Sequence, residues 1–233
     1  MRSFIVSDLD GTMLDKNSSR LSPAVISQIK RLISEKNIFC VASGRSYVQL
    51  KKIFEPLKSV PIYFICCDGA LCIYKEETLF STPLSMSFDD NEKAIAYGKY
   101  LVYANEKVVP FYREVLSAYN GHVLPLSSLK GNEIYKVALK DAPLKEKGGC
   151  TKCLSKGGWQ EYVATGVDKG MAVKKLQKIL GITKEQTLIL GDSENDISMT
   201  GCGHSILIGK NFRLNKHFDA EEIDFVSAVQ NNL

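Results

Sequence analysis

Two carboxylates two residues apart, Asp8 and Asp10, stand where an apolar run meets Gly11-Thr12. A carboxylate can attack as a nucleophile or carry a proton, and a close pair can divide those duties. Side chains at i and i+2 of an extended strand share a face, so Asp8 and Asp10 converge on one point if the chain stays extended between them. Their mutual repulsion is relieved most simply by a hard divalent cation on oxygen ligands, Mg²⁺ first among them. Taken alone, the motif also reads as an ordinary Asp-Gly turn after a strand.

Three more segments carry groups suited to the same chemistry. Ala42-Ser43-Gly44-Arg45 places a hydroxyl and a glycine at an expected helix N-terminus, which is an anion cradle, or else a common Ser-Gly turn. Asp168-Lys169-Gly170 opens another expected helix and offers an ammonium to a phosphate. Gly191-Asp192-Ser193-Glu194-Asn195-Asp196 packs acids and an amide into a turn, a pattern of oxygen ligands for a hard cation.

The elements that must position these groups alternate. Ser3–Ser7 reads as a buried strand, Ser22-Pro23 opens a helix through Lys36, and Ile38–Ala42 is a second strand. Tyr47–Leu57 is expected as a helix and Ile62–Cys66 as a third strand, giving βαβαβ. Toward the other end, Lys169–Leu180 is an amphipathic helix, with strands at Thr187–Leu190 and Ser205–Ile208. This predicts an α/β fold, a doubly wound, Rossmann-like parallel sheet with helices on both faces. Open sheets of that kind bind ligands at strand ends, where all four segments fall.

The middle differs. Asp89-Asp90 is expected to cap a helix reaching about Tyr103, a second helix spans Phe111–Tyr119, and Glu133–Lys140 alternates like a half-exposed strand. Trp159–Ala164 reads as another strand, and Lys145–Gly158 as a surface loop or short helix. The predicted organisation is a discontinuous core, 1–81 and 166–233, with a smaller α+β cap domain at 82–165.

Composition narrows the function classes. The 30 basic and 26 acidic residues leave a net charge of +4 with no basic block, so nucleic acid is not an expected partner. No apolar run approaches a membrane span, and the N-terminus carries no signal-peptide pattern, so no membrane association is expected and the cytoplasm is the expected compartment. An odd count of seven cysteines fits a reducing environment. Cys40, Cys66, Cys67, Cys72 and Cys202 read as small core residues. Cys150 and Cys153 form a C-x-x-C without the second ligand pair of a zinc site.

In this order, Asp-x-Asp-Gly-Thr, Ala-Ser-Gly-Arg, Lys-Gly and Gly-Asp-x-x-Asn-Asp resemble the haloacid dehalogenase superfamily of phosphohydrolases over nearly the whole chain. Their form is most similar to the Cof-type, sugar-phosphatase-like branch, whose α+β cap (the C2, or IIB, type) lies between the second and third motifs. The resemblance implies a Mg²⁺-dependent phosphatase acting on a small phosphorylated metabolite. It implies Asp8 as nucleophile, Asp10 as acid and base, and Mg²⁺ on Asp8, the Asp10 carbonyl and Asp192, with Asp196 supporting that shell. It further implies phosphoryl binding by the backbone of Leu9 and Gly44, the hydroxyls of Thr12 and Ser43, Lys169 and Asn195. One departure is Asp68-Gly69 after the third strand, where the branch usually has Asn-Gly; it changes the charge near the cap hinge. A phosphosugar mutase and a catalytically silent phosphometabolite-binding module are the alternatives; a dehalogenase has no use for an acid at Asp10.

Overall fold

The computed structural model describes residues 3–15, 18–86, 93–105, 123–129, 131–140, 149–153 and 159–233. Strands β1 (Phe4–Ser7), β2 (Ile38–Ala42) and β3 (Ile62–Cys66) open an eight-stranded sheet, and the hairpin β4 (Leu71–Tyr74) and β5 (Glu77–Ser81) extends its edge. After the middle segment, β12 (Thr187–Gly191), β13 (His204–Ile208) and β14 (Ala220–Glu222) complete it in the order β14-β13-β12-β1-β2-β3-β4-β5. All pairings are parallel except those of the β4–β5 hairpin.

Both faces of this sheet are covered, which is why its strands read as unbroken apolar runs rather than alternating ones. On one face Ile5, Phe39 and Val41 pack with Ile29 and Leu32 of α1 (Pro23–Ser34) and Phe225 of α5 (Phe225–Asn232). On the other, Phe4, Val6 and Cys40 pack with Ala172, Val173 and Leu176 of α3 (Lys169–Leu180). The expected doubly wound core is present.

Local signals explain most boundaries. Ser22 caps α1 by accepting from the Val25 amide at 3.3 Å, with Pro23 in the first turn. α2 (Tyr47–Ile53) stops earlier than expected: Pro56 supplies no amide to continue the helix, and Glu55–Leu57 is instead a 3₁₀ turn.

The second sheet has six strands in the order β10-β11-β9-β6-β7-β8, drawn from β6 (Ala94–Tyr97), β7 (Val102–Ala104), β8 (Val123–Pro125), β9 (Lys136–Lys140), β10 (Cys150–Lys152) and β11 (Trp159–Ala164). The expected helix reaching Tyr103 is corrected here to the β6–β7 hairpin. Its turn closes with the Gly98 amide on the Leu101 carbonyl at 2.9 Å, and β6 and β7 are buried throughout. An apolar run buried on both faces has no period to distinguish strand from helix; Gly98 was the available signal. β9 begins at Lys136 rather than Glu133 and is buried instead of half-exposed. Cys150–Lys152, expected in a loop or short helix, is strand β10. Asp89, Asp90 and the expected helix at Phe111–Tyr119 lie outside the described residues. This inserted sheet is the cap.

None of the seven cysteines, all among the described residues, is in a disulfide, and the five read as core residues are buried. Among the described residues, no helix is long and apolar enough to cross a membrane.

Candidate active site

The site is built at the carboxyl ends of β1, β2, β3 and β12. The Asp8 amide donates to the Leu190 carbonyl at 2.9 Å, so Asp8 is held as a continuation of the β1–β12 ladder and is itself buried. Lys169 reaches it from the N-terminus of α3. Its Nζ donates to Asp8 Oδ1 at 2.6 Å and to Asp196 Oδ1 at 2.7 Å, with its side chain 1% exposed. Asp168 caps the helix by accepting from the Met171 amide at 2.7 Å. Gly170 lets α3 approach α4 (Ile197–Thr200) closely, because a Cβ there would collide with the Ser198 carbonyl. The Lys-Gly pair is thus one device: the glycine admits the helix and the lysine uses the approach.

Asp196 organises the turn after β12. Its Oδ2 accepts from the amides of Asp192 at 3.1 Å and Ser193 at 3.0 Å, and from the Ser193 hydroxyl at 3.0 Å. Carboxylate oxygens of Asp8, Asp192 and Asp196 all lie within 4.8 Å of one another. Gly11, at φ +91°, brings the β1 loop against Asp192, where any Cβ would strike the carboxylate.

The charges do not balance. Three clustered carboxylates face one ammonium. Burial and the neighbouring Asp196 push the Asp8 carboxyl well above the usual carboxylate range, and Lys169 pulls it back. Burial works against the Lys169 ammonium, but Asp196, Asp8 and Asp68 outweigh it and raise its proton affinity. An all-oxygen donor set with surplus negative charge is what a hard divalent cation takes, so these residues fit Mg²⁺. Beside them the Thr12 hydroxyl oxygen is buried without a hydrogen-bond partner, a polar atom placed for a ligand.

Asp10 behaves differently from its neighbour. Rather than facing Asp8 across a shared cation, its carboxylate takes a bidentate pair from Arg45, Nε at 2.8 Å and Nη2 at 2.6 Å. β1 ends at Ser7 and the chain bends at Leu9, between the two aspartates, so the shared face predicted for an unbroken strand is lost there. Repulsion within the pair is relieved by two cations, Lys169 on Asp8 and Arg45 on Asp10. The hydrogen bonding that Arg45 donates to Asp10 raises the already high proton affinity of Arg45.

The other expected phosphate ligands border this centre. Ser43 is buried after β2 and accepts from the Arg45 amide at 3.2 Å, while Leu9 is buried beneath the β1 loop. A Cβ on Gly44 would come 2.9 Å from Asp68 Oδ1. Asn195 accepts from the Ser193 hydroxyl, and it is among the neighbours, after Lys136 and Lys169, that hold the Asp68 carboxyl below its usual range.

Sequence reasoning assigned no role to Arg45, Lys136 or Glu161. Arg45 sat inside a quoted motif, but nothing in spacing alone linked it to Asp10. Lys136 did carry a signal: a lysine inside Tyr135–Leu139, an otherwise apolar run, must find partners if buried. Its Nζ meets Asp68 Oδ2 and the Gly44 carbonyl, each at 2.9 Å, and Glu161 of β11. The altered charge at Asp68 is therefore matched from the cap.

Residues 5–211 match the family model for haloacid dehalogenase-like hydrolases. A 5-amino-6-(5-phospho-D-ribitylamino)uracil phosphatase of Escherichia coli K12 is 24% identical over 218 residues, covering 84% of this chain and 80% of its own. The structure of a haloacid dehalogenase-like hydrolase from Bacteroides thetaiotaomicron superposes with a TM-score of 0.85 at 16% identity, over the whole of both chains. That of a subclass IIB sugar phosphatase of the same superfamily gives 0.75 at 16% identity, covering 99% of this chain and 95% of the other. These two likenesses concern the fold, cap included, whereas the family match runs from β1 through β13 and takes in every segment of the site. On that match, the chain belongs to the haloacid dehalogenase-like hydrolases.

Proposed function

We propose that this chain, a phosphoric monoester hydrolase, cleaves a small phosphorylated metabolite, a sugar phosphate or similar phosphomonoester, through an aspartyl-phosphate on Asp8. The observation that carries the reading is the division of labour at the end of β1: Asp8 buried on Lys169 beside Asp192 and Asp196, Asp10 held at the rim by Arg45.

An Asp8 carboxylate oxygen forms the new bond to phosphorus as the bond to the substrate's alcohol oxygen breaks, and Asp10 delivers a proton to that oxygen. Water then attacks phosphorus, giving its proton to Asp10 and releasing inorganic phosphate and free Asp8. Lys169, Asn195, the Thr12 and Ser43 hydroxyls and the Leu9 and Gly44 backbone bind the phosphoryl oxygens, where charge spreads in the transition state. Asp8, Asp192 and the Asp10 carbonyl hold Mg²⁺, which when bound offsets repulsion between anionic nucleophile and anionic ester. Asp196 orients Lys169 and the Asp192 backbone. The cap selects the alcohol. The name of the Escherichia coli relative supports a phosphorylated metabolite as substrate. Free buried cysteines support a reducing compartment, the cytoplasm.

The test is hydrolysis of p-nitrophenyl phosphate. Mg²⁺ should support turnover and EDTA should abolish it, and the Asp8→Asn protein should release no p-nitrophenol. Full activity of Asp8→Asn would overturn the mechanism.

A further inference from the structure

Lys136 is a buried cation that the chemistry above does not use. It belongs to β9 of the cap, 92 residues from Gly44 and 68 from Asp68 in sequence, yet it bonds to both. An ammonium has three donors, and here they meet the Gly44 carbonyl, Asp68 Oδ2 and Glu161 Oε2. The side chain is 6% exposed, against 12% for Asp68 and 24% for Glu161. Nothing of it is left over for a substrate.

What it grips is informative. The loops after β2 and β3 are already tied backbone to backbone, Asp68 amide to Ser43 carbonyl at 3.1 Å and Cys67 amide to Arg45 carbonyl at 2.9 Å. Cys67, Asp68 and Gly69 hold φ of 51°, 56° and 109°, a left-handed run that two non-glycine residues adopt only under constraint. Lys136 supplies part of that constraint from outside the core. Asp68 also feels Asn195 of the acidic turn, which with Lys136 and Lys169 holds its carboxyl below the usual range. One cap side chain thus binds two of the four loops that surround the phosphoryl position.

We propose that Lys136 is a positioning residue: by binding the Gly44 carbonyl and Asp68 together it sets the shape of the phosphate cradle when the cap is docked, coupling cap docking to phosphate affinity. This rests on the phosphatase reading only for the location of the cradle.

The experiment is calorimetric titration of inorganic phosphate, with Mg²⁺ present, into the full-length parent, Lys136→Met and the double variant Asp68→Asn/Lys136→Met. Lys136→Met leaves Asp68 buried and unpaired and should be less stable. The double variant removes that stranded charge, and Glu161 can turn to solvent, so its thermal midpoint should recover toward the parent's. Phosphate affinity should not recover: both variants should bind about tenfold more weakly, within the ordinary range for coupled sites. With p-nitrophenyl phosphate the loss should fall on KM more than on kcat. A double variant that is stable and binds phosphate like the parent would overturn the proposal, leaving Lys136 a purely structural residue; so would a parent that does not bind phosphate. If Lys136→Met does not fold, the double variant alone decides. A parent that binds phosphate without hydrolysing esters would instead contradict the phosphatase reading and leave the coupling measurable.

Discussion

The floor and the rim of the site each pair an aspartate of the same short motif with a cation, and they do so at opposite extremes of burial. On the floor, Asp8, Lys169 and Asp196 are 5%, 1% and 0% exposed at their side chains. At the rim, Asp10 is 51% and Arg45 33% exposed. Buried partners cannot be separated without stranding a charge, whereas exposed ones fall back on water. The floor therefore locks Asp8 in one orientation at the expense of crowding three acids together, and the rim leaves Asp10 free to exchange partners, a contrast that suits the nucleophile and the proton carrier proposed for them.

Four substitutions sharpen or break this contrast. Asp8→Asn should abolish turnover while leaving the fold intact; with EDTA present its thermal midpoint should equal or exceed the parent's, because one of three crowded charges is gone. A large loss of stability would mean that Asp8 chiefly holds the fold. Lys169→Met should lower unfolding stability by about 3–5 kcal/mol, measured in urea, and turnover with it. Asp10→Asn should reduce kcat by about 10²–10⁴-fold, the usual worth of a positioned acid and base, without measurable destabilisation. Arg45→Ala should cost less than about 1 kcal/mol of stability and should lower kcat less than Asp10→Asn does. If Arg45→Ala proves as destabilising as Lys169→Met, the distinction between floor and rim is wrong.

The fold was legible in the sequence wherever strands were short, apolar and punctuated. β2 and β3 have the expected limits, and α3 runs Lys169–Leu180 as its periodicity and Asp168 cap predict. The cap was less legible because burial on both faces erases periodicity, so the helix expected up to Tyr103 proved to be a hairpin turning at Gly98. In the site, the residue types at strand ends pointed to Asp8, Lys169, Asp192 and Asp196, which the fold gathers together. Partners joined only by tertiary packing were not readable: Arg45 lies 35 residues from Asp10, and Lys136 reaches across from a different sheet. Gly11 and Gly170 looked like turn and motif residues. Their second duty, making room for Asp192 and for the Ser198 backbone, exists only in three dimensions.

The central claim is that Asp8 itself carries the phosphoryl group. Rapid acid quench of the enzyme turning over p-nitrophenyl phosphate with Mg²⁺, followed by peptide mass spectrometry, should find a phosphoryl adduct on the peptide bearing Asp8, absent from Asp8→Asn. An adduct on another residue, or Asp8→Asn turning over at the parent's rate with no adduct anywhere, would contradict it.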